Sequence, residues 1–429
     1  MIKPITFCIN TARNEINHIK LLLKSLEVNL STKEHEIIVF IDSDNQGTFE
    51  WLLTQKKVFP NLKILKNNLP ICYGYALNIN EMIKQASNDI VSYLQSDMVV
   101  CKDYDLGILK HIKPNTFLCS TRIEPPLHPG GPEKVTYDFG LDPAKFDLEA
   151  FTEFAEKHKQ DKISEYYFAP FSMYKDVWLS IGGHDTRFRR SREDSDALIR
   201  LVLNNTKIEQ TWLSLVYHFT CTSSRGLDWF NPNNNQAQEK ARKQALADTF
   251  ELNRFFQQWG AFTHDGTTKQ KFYKISAKIL GKDIPAELFL NLERFFDKVY
   301  VEDMSIVDRA QKLYDYQQTI ANDLFNMSSE EWKTYGYIIN KPQAADRIHP
   351  IDSVGDDDVV ISFNGTVEAL HHTQDFLAYL QKIIDETEDV GMFEYGPFTI
   401  DIRRKVNRAS ERMCVTNPEI KPEHLYTIH

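Results

Sequence analysis

No stretch of this 429-residue chain approaches the about 20 apolar residues that a membrane-spanning helix requires. Its amino terminus, Met1-Ile2-Lys3-Pro4, enters a strand-like run without a signal-peptide core. A protein with no membrane span, resident in the cytoplasm, is expected. The six cysteines, Cys8, Cys72, Cys101, Cys119, Cys221 and Cys414, contain no C-x-x-C pair, and several lie inside apolar runs, so reduced and buried thiols are expected. Positive charge is also short. Fifty lysines and arginines against 60 acids leave a formal net charge of -10, which argues against general affinity for nucleic acid. There is no internal repeat and no low-complexity segment. What remains is an ordinary globular composition, 42% apolar and 12% aromatic, in a chain long enough for two or three domains.

Short apolar runs alternate with helical periodicity through the first hundred residues. Residues 5–9, 36–41, 62–65 and 90–94 read as strands; Ile16, Ile19, Leu23 and Leu26 mark one helix face, and residues 75–86 form another helix. That alternation predicts parallel βαβ units, half of a nucleotide-binding α/β sheet. Residues 124–147, with Pro125-Pro126 and Pro129-Gly130-Gly131-Pro132, read as a long loop, either a cover for a site or a plain surface excursion. Residues 175–181 and 193–203 are expected to be helices, 211–219 a strand delivering His218, and 236–259 a helix closing the domain. Beyond about residue 266 the pattern turns helical (286–299, 307–325), and a small βαβ-like piece follows (359–363, a helix to 384, 398–402). The expected division is 1–265, a helical region 266–350, and a small α/β unit 351–429.

Two acidic signatures stand out. Gln95-Ser96-Asp97-Met98 follows a buried run, so Asp97 lies at the carboxyl end of a strand, where open α/β sheets bind ligands and a hard oxygen meets a divalent cation. Gly182-Gly183-His184-Asp185 is followed by Arg192-Glu193-Asp194-Ser195-Asp196, whose acids open a helical pattern carrying Ala197, Leu198, Leu201 and Val202. The helix dipole favours their ionised form, and an ionised carboxylate can act as a base or cap a helix start.

On these residues the chain resembles the family 2 glycosyltransferases of the GT-A fold, over about residues 5–225. The opening strand and loop, Phe7-Cys8-Ile9-Asn10-Thr11-Ala12-Arg13-Asn14-Glu15, match; so do Asp42 on the second strand, the helix entry at Gly74 with the inward Asn78, Gln95-Ser96-Asp97 as a D-x-D motif, and the G-G-x-D and E-D motifs. Two features depart from the pattern: Gln95 replaces the first acid, and the segment after Asp42 is one residue shorter. The resemblance implies an α/β GT-A domain with a mainly helical carboxyl-terminal extension. It further implies an inverting, non-processive hexosyltransferase that uses Mn2+ or Mg2+, a UDP-linked nucleotide-sugar donor, and a carbohydrate acceptor.

In that frame Asp194 is the base and Glu193 points away from it, orienting the acceptor. Thr11, Ala12, Arg13, Glu15, Asp42, Gly74, Asn78, Ser96 and Asp97 bind the donor, with Asp42 accepting the pyrimidine N3 proton. Asp97 and His218 hold the metal, whereas His218 taken without the resemblance reads first as a satisfied half-buried histidine. Arg187, Arg189, Arg190, Arg192 and Arg225 form either a phosphate-side basic set or a solvated face, and Trp229 and Phe230 either stack on a sugar or pack a core. No Q-x-x-R-W signature of processive synthases follows Asp194. Two rivals remain: a nucleotidyltransferase, for which residues 10–15 lack the needed glycine, and a catalytically silent glycan-binding or scaffold module, which Gln95 favours.

Overall fold

The structure is a computed structural model that describes residues 2–189, 191–220, 235–259, 273–324, 328, 330, 343–365, 376, 380–387 and 389–429. The chain divides into two compact units, Met1–Ala241 with Val415–His429, and Arg242–Cys414. In chain order the strands of the first unit are β1 (Ile5–Thr11), β2 (Glu36–Ile41), β3 (Leu62–Asn67), β4 (Ile90–Gln95), β5 (Met98–Val100), β6 (Thr116–Glu124), β7 (Lys134–Thr136), β8 (Ile163–Ser164), β9 (Phe171–Tyr174) and β10 (Lys207–His218). Its helices are α1 (Ile16–Asn29), α2 (Thr48–Gln55), α3 (Tyr75–Gln85), α4 (Tyr104–His111), α5 (Leu148–His158), α6 (Lys175–Ser180) and α7 (Glu193–Leu203), and α8 (Asn235–Trp259) contains the division between units. The second unit holds β11 (Ile275–Leu280), α9 (Ala286–Leu292), β12 (Lys298–Val301), α10 (Ile306–Leu324), β13 (Ile348–Pro350), β14 (Val359–Asn364), α11 (Leu380–Glu386), β15 (Gly391–Tyr395) and β16 (Phe398–Ile402). The chain then returns to the first unit as β17 (Leu425–Ile428).

The first unit is built on an eleven-stranded sheet in the order β17-β3-β2-β1-β4-β9-β6-β10-β5, with β7 beside β6 and β8 beside β10. Strands β1, β2 and β4 are buried almost throughout, as expected where helices cover both faces of a parallel sheet. Strand β1 is parallel to β2 and β4, β10 is parallel to β6, and β9 is antiparallel to both β4 and β6. Hence β1, β2, β4, β6 and β10 all point the same way. Helix α1 lays Ile19, Leu22, Leu23 and Leu26 on the sheet at helix spacing, and α3 does the same with Ala76, Leu77, Ile79 and Ile83.

The carboxyl-terminal half departs from expectation. Residues 275–402 are not a helical region followed by a separate small unit but one α/β unit around a six-stranded sheet, β13-β12-β11-β14-β16-β15. Its first four strands in that order are mutually parallel. The helix expected over 286–299 stops at Leu292 because Asp297 holds the start of β11: its amide donates to the Ile275 carbonyl at 2.6 Å and its carboxylate accepts the Ile275 amide at 2.8 Å. A four-residue strand, Lys298–Val301, was hidden in the tail of a helical pattern. The unit boundary falls at residue 241 rather than 265, and the last fifteen residues belong to the first unit rather than the second.

That returning segment is bound at several points. Strand β17 pairs antiparallel with β3, Tyr73 donates from its hydroxyl to the His424 carbonyl at 2.9 Å, and the Val415 amide donates to the Ile181 carbonyl at 3.2 Å. A chain stopped after Cys414 is expected to lose hydrogen-exchange protection at those β3 amides within 64–67 that face β17, while those bonded to β2 and the amides of β1 and β4 stay protected, read by exchange mass spectrometry.

Candidate functional site

Because five strands share one direction, their carboxyl ends share one edge of the sheet. Thr11 ends β1, Asp42 follows β2, Asp97 follows β4, Glu124 ends β6 and His218 ends β10. Register keeps them level: Asn10 lies opposite Gln95, Thr11 opposite Ile41, and Tyr217 opposite Ile123. An edge formed by strand carboxyl ends is where open α/β sheets take their ligands.

At the centre Asp97 is buried, and its Oδ1 faces His218 Nε2 at 3.8 Å, beyond hydrogen-bonding range. The other ring nitrogen, Nδ1, lies 2.8 Å from Glu124 Oε1. Burial alone would push the Glu124 carboxyl up, but the His218 bond and the charges of Arg122 and Lys134 hold it far below the usual carboxylate range. An ionised carboxylate only accepts, so Nδ1 donates to Glu124, and Nε2 is the nitrogen turned toward Asp97. One octahedral cation at about 2.0–2.1 Å from each atom would need this 3.8 Å pair to close toward about 3 Å. Among the described residues no group of three His, Cys, Asp or Glu side chains is arranged to hold a metal. The pair could supply at most two ligands to an ion, the others coming from outside these side chains, such as phosphate oxygens and water.

On the amino-terminal side, Glu15 Oε2 accepts from the Ala12 amide at 2.9 Å and from the Ser96 hydroxyl at 2.7 Å, tying the turn after β1 to the turn after β4. Burial, with help from the nearby Asp97 charge, raises the Glu15 carboxyl to about 7. Asn14 and Asn45 exchange hydrogen bonds at 3.0 Å, which joins this turn to the loop after β2. Arg13 is half-buried beside Cys72, whose thiol is pushed up to about 11 chiefly by burial.

Asp42 differs from expectation. Its Oδ1 accepts from the Tyr73 amide at 2.7 Å and from Asn67 at 3.1 Å, and its Oδ2 accepts from the Gly74 amide at 2.9 Å. Asn78 also bonds to this carboxylate, and the residue is 6% exposed. The carboxylate is thus committed to the Tyr73-Gly74 turn rather than presented to an incoming base. Gly74 has φ +83°, and a Cβ there would come 3.2 Å from the Arg189 carbonyl oxygen, so the turn needs glycine.

The Gly182-Gly183 segment is shaped by close approach. Both residues have positive φ; a Cβ on Gly183 would lie 2.3 Å from Asn80 Oδ1, and one on Gly182 would meet the Val415 carbonyl. Asn80 accepts from the His184 amide at 2.8 Å and from the Trp178 indole at 3.1 Å, while Asn417 donates to the Gly182 and His184 carbonyls at 2.8 Å each. Arg200, fully buried with Asp196, donates to the Ile181 and Gly183 carbonyls at 2.6 Å each. Asp185 is held by a bidentate pairing with Arg187. These acids position backbone; they do not face a ligand.

Glu193 and Asp194, adjacent at the start of α7, part company. Glu193 is buried and accepts from the Tyr75 hydroxyl at 2.6 Å, so it supports the helix start rather than orienting an acceptor. Asp194 is half-exposed, with Oδ1 accepting the Ser195 amide at 2.6 Å. After burial, the Glu193 and Asp194 charges raise the Tyr75 phenol well above its ordinary value, and Tyr167 is raised likewise. The buried Tyr93 phenol is raised by burial and then by Asp97, Glu15 and Glu193 together. Asp97, Glu15 and Glu193 thus all lie within electrostatic reach of the Tyr93 phenol.

The long loop is not a loose excursion. Strand β7 pairs with β6, the Tyr137 amide donates to the Glu124 carbonyl at 2.9 Å, and Phe139 and Phe146 pack on Tyr217 with ring centroids 5.5 and 5.2 Å apart. Of the basic set, Arg187 is paired with Asp185, Arg189 is buried and donates to the Cys72 carbonyl at 3.3 Å, and Arg192 precedes α7 with φ 72°. Arg190, Arg225, Trp229 and Phe230 lie outside the described residues. Glu124, Asn80, Tyr75 and the Asp196–Arg200 pair were not foreseen. Glu124 carried a signal, being an acid at the end of an apolar run like Asp97, and Asp196–Arg200 had helix spacing of four.

No family model matches the chain, and no curated protein matches it. Solved structures do. S. aureus TarS aligns at 18% identity over 59% of this chain and 43% of its own, with a TM-score of 0.35. TarS 1–349 in complex with UDP-GlcNAc aligns at 17% identity over 59% and 72%, with a TM-score of 0.36. GalNAc-T7 with UDP, GalNAc and Mn2+ aligns at 12% identity over 60% and 51%, with a TM-score of 0.41. The aligned part spans less than half of the full TarS chain.

His184 gives this site a pH signature. Burial, then the Arg200 charge, lowers its imidazole from 6.5 to about 3, so the folded protein holds it neutral while the unfolded chain protonates it. Its contribution to stability is complete above about pH 6.5 and is lost as pH falls toward 3. Chemical denaturation between pH 7 and 4 should show stability falling by up to about 1.4 kcal/mol per pH unit more steeply in the native protein than in His184→Gln. Equal slopes would remove His184 from the account.

Proposed function

We propose that this chain is a metal-dependent, inverting glycosyltransferase of the GT-A type, moving one hexose at a time from a UDP-sugar to a hydroxyl of a carbohydrate acceptor. The observation that supports it is the Asp97–His218 pair, 3.8 Å apart at the edge where the parallel strands end, with Asp97 and Glu193 of α7 both within electrostatic reach of the Tyr93 phenol. Glycosyl transfer needs a held leaving diphosphate, a base for the acceptor and exclusion of water. The site has a candidate for each.

Asp97 and His218 would hold Mn2+ or Mg2+, which when bound neutralises charge building on the leaving diphosphate. Thr11, Ala12, Arg13, Glu15 and Ser96 form the donor side, joined by the Ala12–Glu15–Ser96 hydrogen bonds, so the turn is set before the donor arrives. Asp42, Gly74 and Asn78 act one step back by fixing the Tyr73-Gly74 turn. Asp194 retains access to solvent and takes the proton from the attacking hydroxyl, on the side away from the nucleotide. Glu193 and Tyr75 hold the helix that carries it. The anchored loop between β6 and α5 keeps water off. No described helix is long and apolar enough to cross a membrane, and placement in the cytoplasm is part of this proposal.

Slow hydrolysis of UDP-hexoses in the presence of Mn2+ is the test, because it needs no knowledge of the acceptor. Asp194→Asn should lower the rate by about 10²–10⁴-fold while leaving the donor-induced rise in melting temperature intact. Hydrolysis undiminished in the variant would reject Asp194 as the base. A protein stabilised by donors but without turnover would favour the silent-module alternative, and stabilisation by GDP- or CMP-sugars alone would reassign the donor.

A further inference from the structure

Glu124 is the least expected charge at this edge. It is buried at the end of β6, and it collects His218 Nδ1 at 2.8 Å, Lys134 at 2.9 Å and Arg122 at 3.3 Å. Lys134 lies on β7, within the long loop, and the Glu124 carbonyl accepts the Tyr137 amide from the same loop. Arg122 in turn donates to the Ala169 carbonyl and lies over the Phe168 ring, 4.8 Å from its centroid.

We infer that Glu124 is a positioning residue for the metal site: its carboxylate holds the proton of His218 on Nδ1 and fixes the ring so that Nε2 faces Asp97 Oδ1. The inference rests on the metal-dependent reading above and adds a residue to it. A histidine that binds a cation through one nitrogen commonly donates from the other to a carboxylate, which sets both tautomer and ring orientation. Here that partner is itself fixed by two cationic side chains, so it cannot follow the ring if the ring turns. Because one of those cations comes from the loop, the same carboxylate that aims His218 also fastens the loop's entry.

The measurement is Mn2+ affinity of the full chain at saturating UDP, read from the electron paramagnetic resonance signal of unbound Mn2+. Glu124→Met removes the acceptor at similar length and should weaken Mn2+ binding by about 10–100-fold. Glu124→Gln, whose carbonyl can still accept from Nδ1–H, should recover most of the loss. A negative charge could also attract Mn2+ directly, so Glu124→Met is repeated on His218→Ala, where it should cause no further loss. Mn2+ binding within twofold of the native protein in Glu124→Met overturns the inference, and so does an equal loss with and without His218. If Glu124→Met does not fold, Glu124→Asp, which withdraws the carboxylate by one methylene, must weaken binding by at least about threefold. Parity there is equally fatal. A native chain that binds no Mn2+ with UDP overturns the metal-dependent reading itself, a different outcome from the other failures.

Discussion

Everything at this site depends on the shared direction of five strands. A parallel sheet sends every strand's carboxyl end to one edge, and level register keeps those ends within reach of one another. That places side chains from Thr11, Asp42, Asp97, Glu124 and His218 together, although more than two hundred positions separate the first from the last. The antiparallel β9 interrupts the five. Inserted between β4 and β6, it leaves both running the same way while widening the edge by one strand. An edge built in this manner tolerates changes in loops but not a slip in register, since moving β10 by one residue on β6 would turn His218 to the opposite face.

The acids visible in the sequence divide into those that hold backbone and those that keep a face toward the edge. Asp42, Asp185 and Asp196 are spent on amides or on arginine, and Arg200 passes its share on to two carbonyls of the glycine turn. A fully buried pair such as Asp196–Arg200 is strongly destabilising when one partner is removed, by about 3–5 kcal/mol, because the other charge is left in a poor solvent. Such groups buy rigidity for the loops rather than chemistry. The site is shaped mostly by residues that will not touch a ligand.

How much of this could be read beforehand follows from range. Strands β1 to β4 and helix α7 were legible because each announces itself by local periodicity, and the glycines at 74, 182 and 183 by their motifs. Whether a carboxylate points at solvent or at a neighbouring amide is decided by contacts thirty to two hundred residues away. Asp42 meets Tyr73 and Gly74 across one βα unit, and Asn417 reaches the glycine turn from the other end of the chain. No window of sequence contains both partners. The second unit was misread for a related reason: β12 has only four residues, so its period of two could not outweigh the helical pattern leading into it.

The Glu193-Asp194 pair shows how one local rule assigns opposite tasks to neighbours. Successive residues on a helix project about 100° apart, so two adjacent carboxylates cannot both face the same side. At the first turn of α7 one direction leads into the protein, where the Tyr75 hydroxyl meets Glu193, and the next leads outward, where Asp194 stays half-exposed. The half-buried member accepts the Ser195 amide in its own turn. Exchanging the two residue types would shorten the buried carboxylate and withdraw it from the Tyr75 hydroxyl. The order Glu then Asp is therefore set by reach: the longer side chain spans to the phenol, and the shorter one stays within its own turn against the Ser195 amide.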